Sequence, residues 1–198
     1  MLKSTSQTKS WLLFIERDVD RAFLSFVLPV PRFTSINAAI VFACAPLVNA
    51  LWVRLAERNR RIDIVQKYIF ALATVTLANA LFYVAALRAG PHAPAMVSLP
   101  LASIALIGVG ELVAWTGTYG MVSRGAPTGF ASVAMGAWYL LTLGLGGYLS
   151  GFAGLLVDAF GFASAFGLIA ALTGVACVIA LALRAPLARL AARGGVSL

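Results

Sequence analysis

Five runs of about twenty predominantly apolar residues follow one another between residues 33 and 184, separated only by short polar segments. A helix of that length crosses a hydrocarbon core about 30 Å thick. Inside lipid every backbone N–H and C=O must be satisfied within the element, and runs this long achieve that as helices rather than as strands of a barrel. The composition agrees. Of the 198 residues, 61% are hydrophobic and 11% charged, which leaves too little charge to coat a water-soluble domain. The chain reads as an all-α polytopic membrane protein.

The pattern places the spans at about Phe33 to Leu55, Gln66 to Leu87, Val97 to Val122, Phe130 to Ser150 and Ala163 to Leu183. Ser10 to Ile15 reads as the tail of a preceding helix. The net charge of +8 is spread among the segments between spans, without the basic patch interleaved with aromatics that nucleic acid would require, so no nucleic-acid partner is expected. The charge reports topology instead. One side carries nine basic residues, Arg54, Arg58, Arg60, Arg61, Lys67, Arg124, Arg184, Arg189 and Arg193. The other carries four, Arg17, Arg21, Arg32 and Arg88, offset by Glu16, Asp18 and Asp20. Short basic loops stay in the cytoplasm, which predicts a cytoplasmic C-terminus in a cell (inner) membrane. WLLFI, residues 11 to 15, is too short for a signal-peptide core, so no cleaved leader is expected.

Cys44 and Cys177 lie far apart inside apolar runs, which argues against a disulfide or a thiol metal site. His92 stands alone in the loop AGPHAPA, without a cluster of ligands. No nucleophile elbow, phosphate loop or zinc motif occurs, so neither an enzyme, a cofactor nor a metal is expected. The segment LGLGGYLSGFAG, residues 143 to 154, pairs Gly147 with Gly151 and Gly146 with Ser150, spacings that suit close helix packing. Pro100 would permit a kink near the start of the third span.

One carboxylate interrupts the third span. Glu111, in IALIGVGELVAWTG, carries an insertion cost of roughly 2.5 to 3.5 kcal/mol near mid-membrane, so it should face a bundle interior or a water-filled cavity. A desolvated carboxyl favours its protonated form and one beside an ammonium its ionised form, which suits a group that handles both a proton and an amine. Asn37, Asn79, Thr116, Tyr119 and Trp138 are the polar or amphipathic residues that could line the same cavity. Trp138 could close a pocket and still satisfy its N–H, although a single tryptophan also serves packing or the interface belt.

The motifs GELVAWTG (110 to 117) and APTGFASVAMGAWYLLTLGLGGYLSG (126 to 151) resemble the proton-dependent oligopeptide transporters of the major facilitator superfamily. That family has G-E-L in its tenth helix, then an A-P loop and an M-G-x-W eleventh helix. Upstream, residues 16 to 55 contain FTSIN, similar to the family's F-x-S-x-N, and an eighth helix ending in P-x(5)-W-x-x-L, followed by Lys67 opening the next helix. The resemblance covers nearly the whole chain but only the family's C-terminal half, helices eight to twelve with the end of the seventh.

It implies that Glu111 engages the amino terminus of a di- or tripeptide and takes part in proton coupling. Asn37 would be the eighth-helix asparagine of the substrate site and Trp138 the gating aromatic, while Gln7 and Ser10 match the polar Q-x-x-S of the seventh helix. Thr116 and Tyr119 remain possible pocket-lining residues. Residues 1–32 would be the end of the seventh helix and an extracellular loop, 33–184 the bundle, and 185–198 a basic cytoplasmic tail. Two family features differ: Ala38 stands where proline is common, and Thr116-Gly117 replaces Ser-Pro. The first-helix E-x-x-E-R motif and the fourth-helix lysine have no counterpart in this sequence. The implied function is secondary active transport of di- and tripeptides with protons, with lipid and a missing N-terminal half or a second copy as partners. The alternative is a non-transporting membrane interaction protein derived from the same family.

Overall fold

The structure is a computed structural model and describes residues 10–20, 22–23, 26–27, 29–58, 63–89, 95–127 and 129–193. Five helices account for most of it: α1 (Ser10–Asp18), α2 (Val30–Glu57), α3 (Ile64–Arg88), α4 (Ser98–Gly125) and α5 (Ala131–Arg193). Four two-residue strands lie in the connections. β1 (Val19–Asp20) pairs in parallel with β4 (Ala95–Met96), and β2 (Ala22–Phe23) pairs antiparallel with β3 (Phe26–Val27). The helices carry four apolar segments long enough to cross a membrane, Arg32–Glu57, Ile64–Arg88, Ser98–Tyr119 and Ala131–Pro186.

The last of these contains both the fourth and the fifth expected spans. At 63 residues, α5 would extend about 95 Å as a straight rod, roughly three times a bilayer core. Gly161 resolves the mismatch. It adopts φ +80°, ψ 168°, a conformation open to glycine and strained for other residues, and it breaks the helix there. The contacts on either side show the chain reversing. Tyr139 meets Tyr119 of α4, Phe162 and Phe166 meet Phe14 at the opposite end, and Cys177 has returned to Ile69.

Other boundaries follow from local chemistry. Pro29 caps α2 in an extended conformation (φ −63°, ψ 139°), and a second proline, Pro31, lies in the first turn, where its missing N–H leaves no helical bond unmade. Pro100 occupies the first turn of α4 for the same reason, so the expected kink is not required there. Polar side chains within the spans satisfy themselves on their own helices: Thr76, Asn79, Ser103 and Thr118 each donate to the carbonyl four residues back, at 2.7 to 2.9 Å. In lipid that is the cheapest available partner. Asn79, a candidate cavity residue by sequence, therefore spends its amide N–H on Val75.

The spine of the bundle is α3, with α4 and the returning part of α5 both packed along it. Because Thr118 donates to Ala114, the Tyr68 hydroxyl must donate to the Thr118 oxygen, and this bond ties α3 to α4. The core gathers at the end of the bundle nearest α1, around Phe14, Ile15, Phe33, Phe82, Ile104 and Phe166. Phe82 stacks on Phe166 at 5.0 Å and meets Phe14 edge-on at 6.3 Å. At the other end Lys67 sits 5.2 Å over the ring of Trp52, pinning the end of α2 to the start of α3.

Gly110 permits a close approach of α4 to α3. A Cβ there would lie 2.6 Å from Thr74 Oγ1 and 3.3 Å from the Ala71 carbonyl oxygen. The Thr74 hydroxyl cannot simply swing away, because it donates to Ala71 (2.8 Å) and Phe70 (3.1 Å). Overpacking therefore outweighs the helix-propensity gain of alanine, and Gly110→Ala should lower stability by about 1 to 2 kcal/mol. Thermal unfolding in detergent measures the loss, and Thr74→Ala should recover most of it.

The glycine-rich stretch of α5 behaves differently. Among the described residues nothing lies within 4 Å of a Cβ built on Gly136, Gly144, Gly146, Gly147, Gly151 or Gly154, so the described part of this chain does not make the close packing expected from their spacing. The same part of α5 exposes Leu140, Leu149 and Tyr148, and α2 exposes Phe42 at 85%. Both helices present long apolar faces that only lipid or another protein surface can cover.

Candidate functional site

Glu111 lies midway along α4, half-buried, with no hydrogen-bond or ion-pair partner among the described residues. Its surroundings follow from helical spacing. Gly108, Glu111, Trp115 and Tyr119 recur at intervals of three and four, and at 100° per residue they occupy about 80° of arc on α4. One face of one helix thus carries a glycine, the acid and two aromatics in succession.

Two other helices meet that face. From α2, Asn37 packs against Gly108: a Cβ at that position would be 2.8 Å from Asn37 Oδ1. This oxygen is buried and has no hydrogen-bond partner. From α5, Trp138 packs edge-on against Trp115 at 5.1 Å. The three residues singled out by sequence, Asn37, Glu111 and Trp138, come from three different helices and reach the same face of α4, Asn37 one turn before the acid and Trp138 against the ring one turn after it.

Trp138 belongs to a cluster. Trp115, Tyr119, Trp138 and Tyr139 are in mutual contact, with centroid separations from 5.1 to 6.1 Å. The Tyr119 and Tyr139 hydroxyls are hydrogen-bonded to each other. The cluster is an aromatic wall beside the acid, with indole and phenol groups that offer apolar contact, π-faces for a cation, and polar tips. Sequence reasoning picked out Trp138 and Tyr119 and missed Trp115 and Tyr139. The spacing of 111, 115 and 119 was the available signal for Trp115, whereas Tyr139 depends on how α5 lies against α4.

Of the remaining candidates, Thr116 does not join this face. Thr116 projects about 140° around the helix from Glu111, is exposed, and donates to the Val113 carbonyl at 3.0 Å. Ser10 opens α1 but its side chain lies outside the described residues, as do Gln7 and His92. Among the described residues no three His, Cys, Asp or Glu side chains are grouped to hold a metal, and Cys44 and Cys177 are free thiols.

The family model described as POT family matches residues 4–169. The chain belongs to the POT family. Its fold is also that of solved POT transporters. A POT family transporter in complex with a thioalcohol-conjugated peptide is similar with a TM-score of 0.79 and 18% identity, covering 89% of this chain. Another, in complex with 5-aminolevulinic acid, is similar with a TM-score of 0.78 and 18% identity over 88% of this chain. A peptide transporter POT in complex with sulfate gives 0.80 and 19% over 91%. In each case the match covers 36% of the solved chain, so this POT-family protein spans little more than a third of the length of those transporters. It is an integral membrane protein with the helical architecture of that family.

Proposed function

We propose that this chain forms the C-terminal half of a proton-coupled di- and tripeptide transporter, acting as one wall of a cavity that a second six-helix half completes. The observation that carries the reading is the convergence of Asn37, Glu111 and Trp138 on one face of α4. Glu111 is the natural counter-ion for a peptide's ammonium, because an ionised carboxylate and an alkylammonium form a charge-assisted hydrogen bond in a site shielded from bulk water. Proton coupling in this reading runs through the same residue, which exchanges the peptide's ammonium for a proton. The Asn37 amide supplies polar contacts to the peptide backbone, and the Trp138 cluster closes the cavity on the side of α5. Alternating access is then the rocking of this half against its counterpart.

Residues 1–32 serve in this reading as the end of a seventh helix and an outer loop, 33–184 as the bundle, and 185–198 as a cytoplasmic tail. The decisive experiment is uptake of radiolabelled dialanine into proteoliposomes under an inward proton gradient, comparing the chain alone with the chain co-expressed with an N-terminal POT half. Uptake that needs both halves and collapses with a protonophore is the expected result. Co-assembly of the halves without uptake would reject transport. It would favour the second reading, a non-transporting membrane interaction protein, for which the uncovered faces of α2 and α5 speak. A cysteine placed in the 185–198 tail should be labelled by a membrane-impermeant maleimide only after the cells are opened.

A further inference from the structure

The Asn37 amide reaches the site without any hydrogen bond to hold it. Its Oδ1 is buried and unpaired, and no bond joins the side chain to another described residue. A buried carbonyl left in that condition is destabilising, and its rotamer must be set by packing. The packing surface is Gly108. A Cβ built there would lie 2.8 Å from Asn37 Oδ1, nearer than real Cβ contacts allow, and 3.2 Å from Val41 Cγ2, while the Asn37 backbone oxygen stays at an ordinary 3.7 Å. The obstacle to a side chain at 108 is therefore the amide itself, with Val41 needing only a small adjustment. Gly110, on the opposite side of the helix, makes the corresponding contact with α3. The sequence Gly108-Val109-Gly110 thus lets two helices close on α4 immediately before Glu111.

We propose that Gly108 is a positioning residue: the absent side chain forms the seat that directs the Asn37 amide toward the turn carrying Glu111. The functional consequence rests on the peptide-site reading of Asn37, whereas the seat itself does not.

The test is a double-mutant cycle on the purified full chain, using Gly108→Ala, Asn37→Ala and the pair. In the wild-type background Gly108→Ala should displace the unbonded Asn37 amide, shift its NMR resonance, and change the thermal midpoint by only about 2 °C. With Asn37 already alanine no amide has to move, and Gly108→Ala should raise the midpoint further than it does in the wild-type background, since alanine is the better helix former. The same change of midpoint in both backgrounds, or an unmoved amide resonance, overturns the proposal. Dialanine binding, measured on the chain co-assembled with an N-terminal POT half, then separates the seat from the peptide-site reading. If Gly108→Ala and Asn37→Ala each weaken it about tenfold and the pair no further, both stand. If Asn37→Ala has no effect on binding while the difference in thermal midpoint between the two backgrounds holds, the peptide-site role of Asn37 fails and the seat survives. If Asn37→Ala weakens binding and Gly108→Ala does not, the glycine is not positioning the amide for substrate and the proposal is overturned.

Discussion

Glu111→Gln should abolish peptide-driven proton flux in the assembled transporter and weaken dialanine binding by about 100-fold. The substitution keeps the size and hydrogen-bonding reach of the side chain and removes only its charge and its ability to exchange a proton. Two functions are then lost together. In the proposed mechanism the peptide ammonium would lose its counter-ion, and the cycle would lose the group that exchanges that ammonium for a proton. Glu111→Asp should restore part of the binding, because the charge returns one methylene short. The measurement is acidification of the vesicle interior on adding dialanine, with counterflow of labelled peptide run in parallel. Unchanged peptide-driven proton flux in the Gln variant would remove Glu111 from the mechanism. Loss of flux with intact binding would confine it to coupling. No acid or base within the described residues is paired with Glu111, so the effect should not be blurred by a released partner.

Phe82→Ala should cost about 2 to 4 kcal/mol of stability. Its side chain is fully buried where α1, α3 and α5 meet, stacked on Phe166 and edge-on to Phe14. The estimate sits toward the low side of soluble-protein values because lipid is as apolar as the core, so water-transfer energy contributes little and the loss is mainly one of dispersion contacts. Phe42→Ala provides the contrast. That ring is 85% exposed on α2, and its truncation should change stability by no more than about 0.5 kcal/mol in the isolated chain. Thermal unfolding followed by circular dichroism distinguishes the two. If a second protein half covers α2, the Phe42 variant should become costly only in the complex, which turns the pair into a probe of assembly.

The positions of the helices were largely legible in the sequence, because apolar length in a membrane protein is dictated by bilayer thickness and not by distant contacts. The expected first span, Phe33 to Leu55, lies within α2 (Val30–Glu57), and the second, Gln66 to Leu87, within α3 (Ile64–Arg88). The boundary between the last two was blurred. Residues 151 to 162 contain no run of polar residues to mark a loop, and the reversal rests on one backbone conformation, that of Gly161. Pro100 depends on position in the same way: it would permit a kink, but in a first turn its missing N–H breaks no helical bond and costs nothing.

The candidate site divides in the same way. A carboxylate in an apolar run identifies itself, since the cost of placing it there is a property of the residue and the medium. The intervals 108, 111, 115 and 119 also needed only the helical period. What the sequence by itself determined was therefore the medium, the spans and the acid that needed an explanation. Only the tertiary structure could decide that Asn37 is seated on Gly108, that Tyr139 bonds Tyr119, and that Thr116 points elsewhere. Those facts depend on the rotation and approach of one helix about another, which are set by packing between surfaces far apart in the chain and leave no periodic trace in either segment.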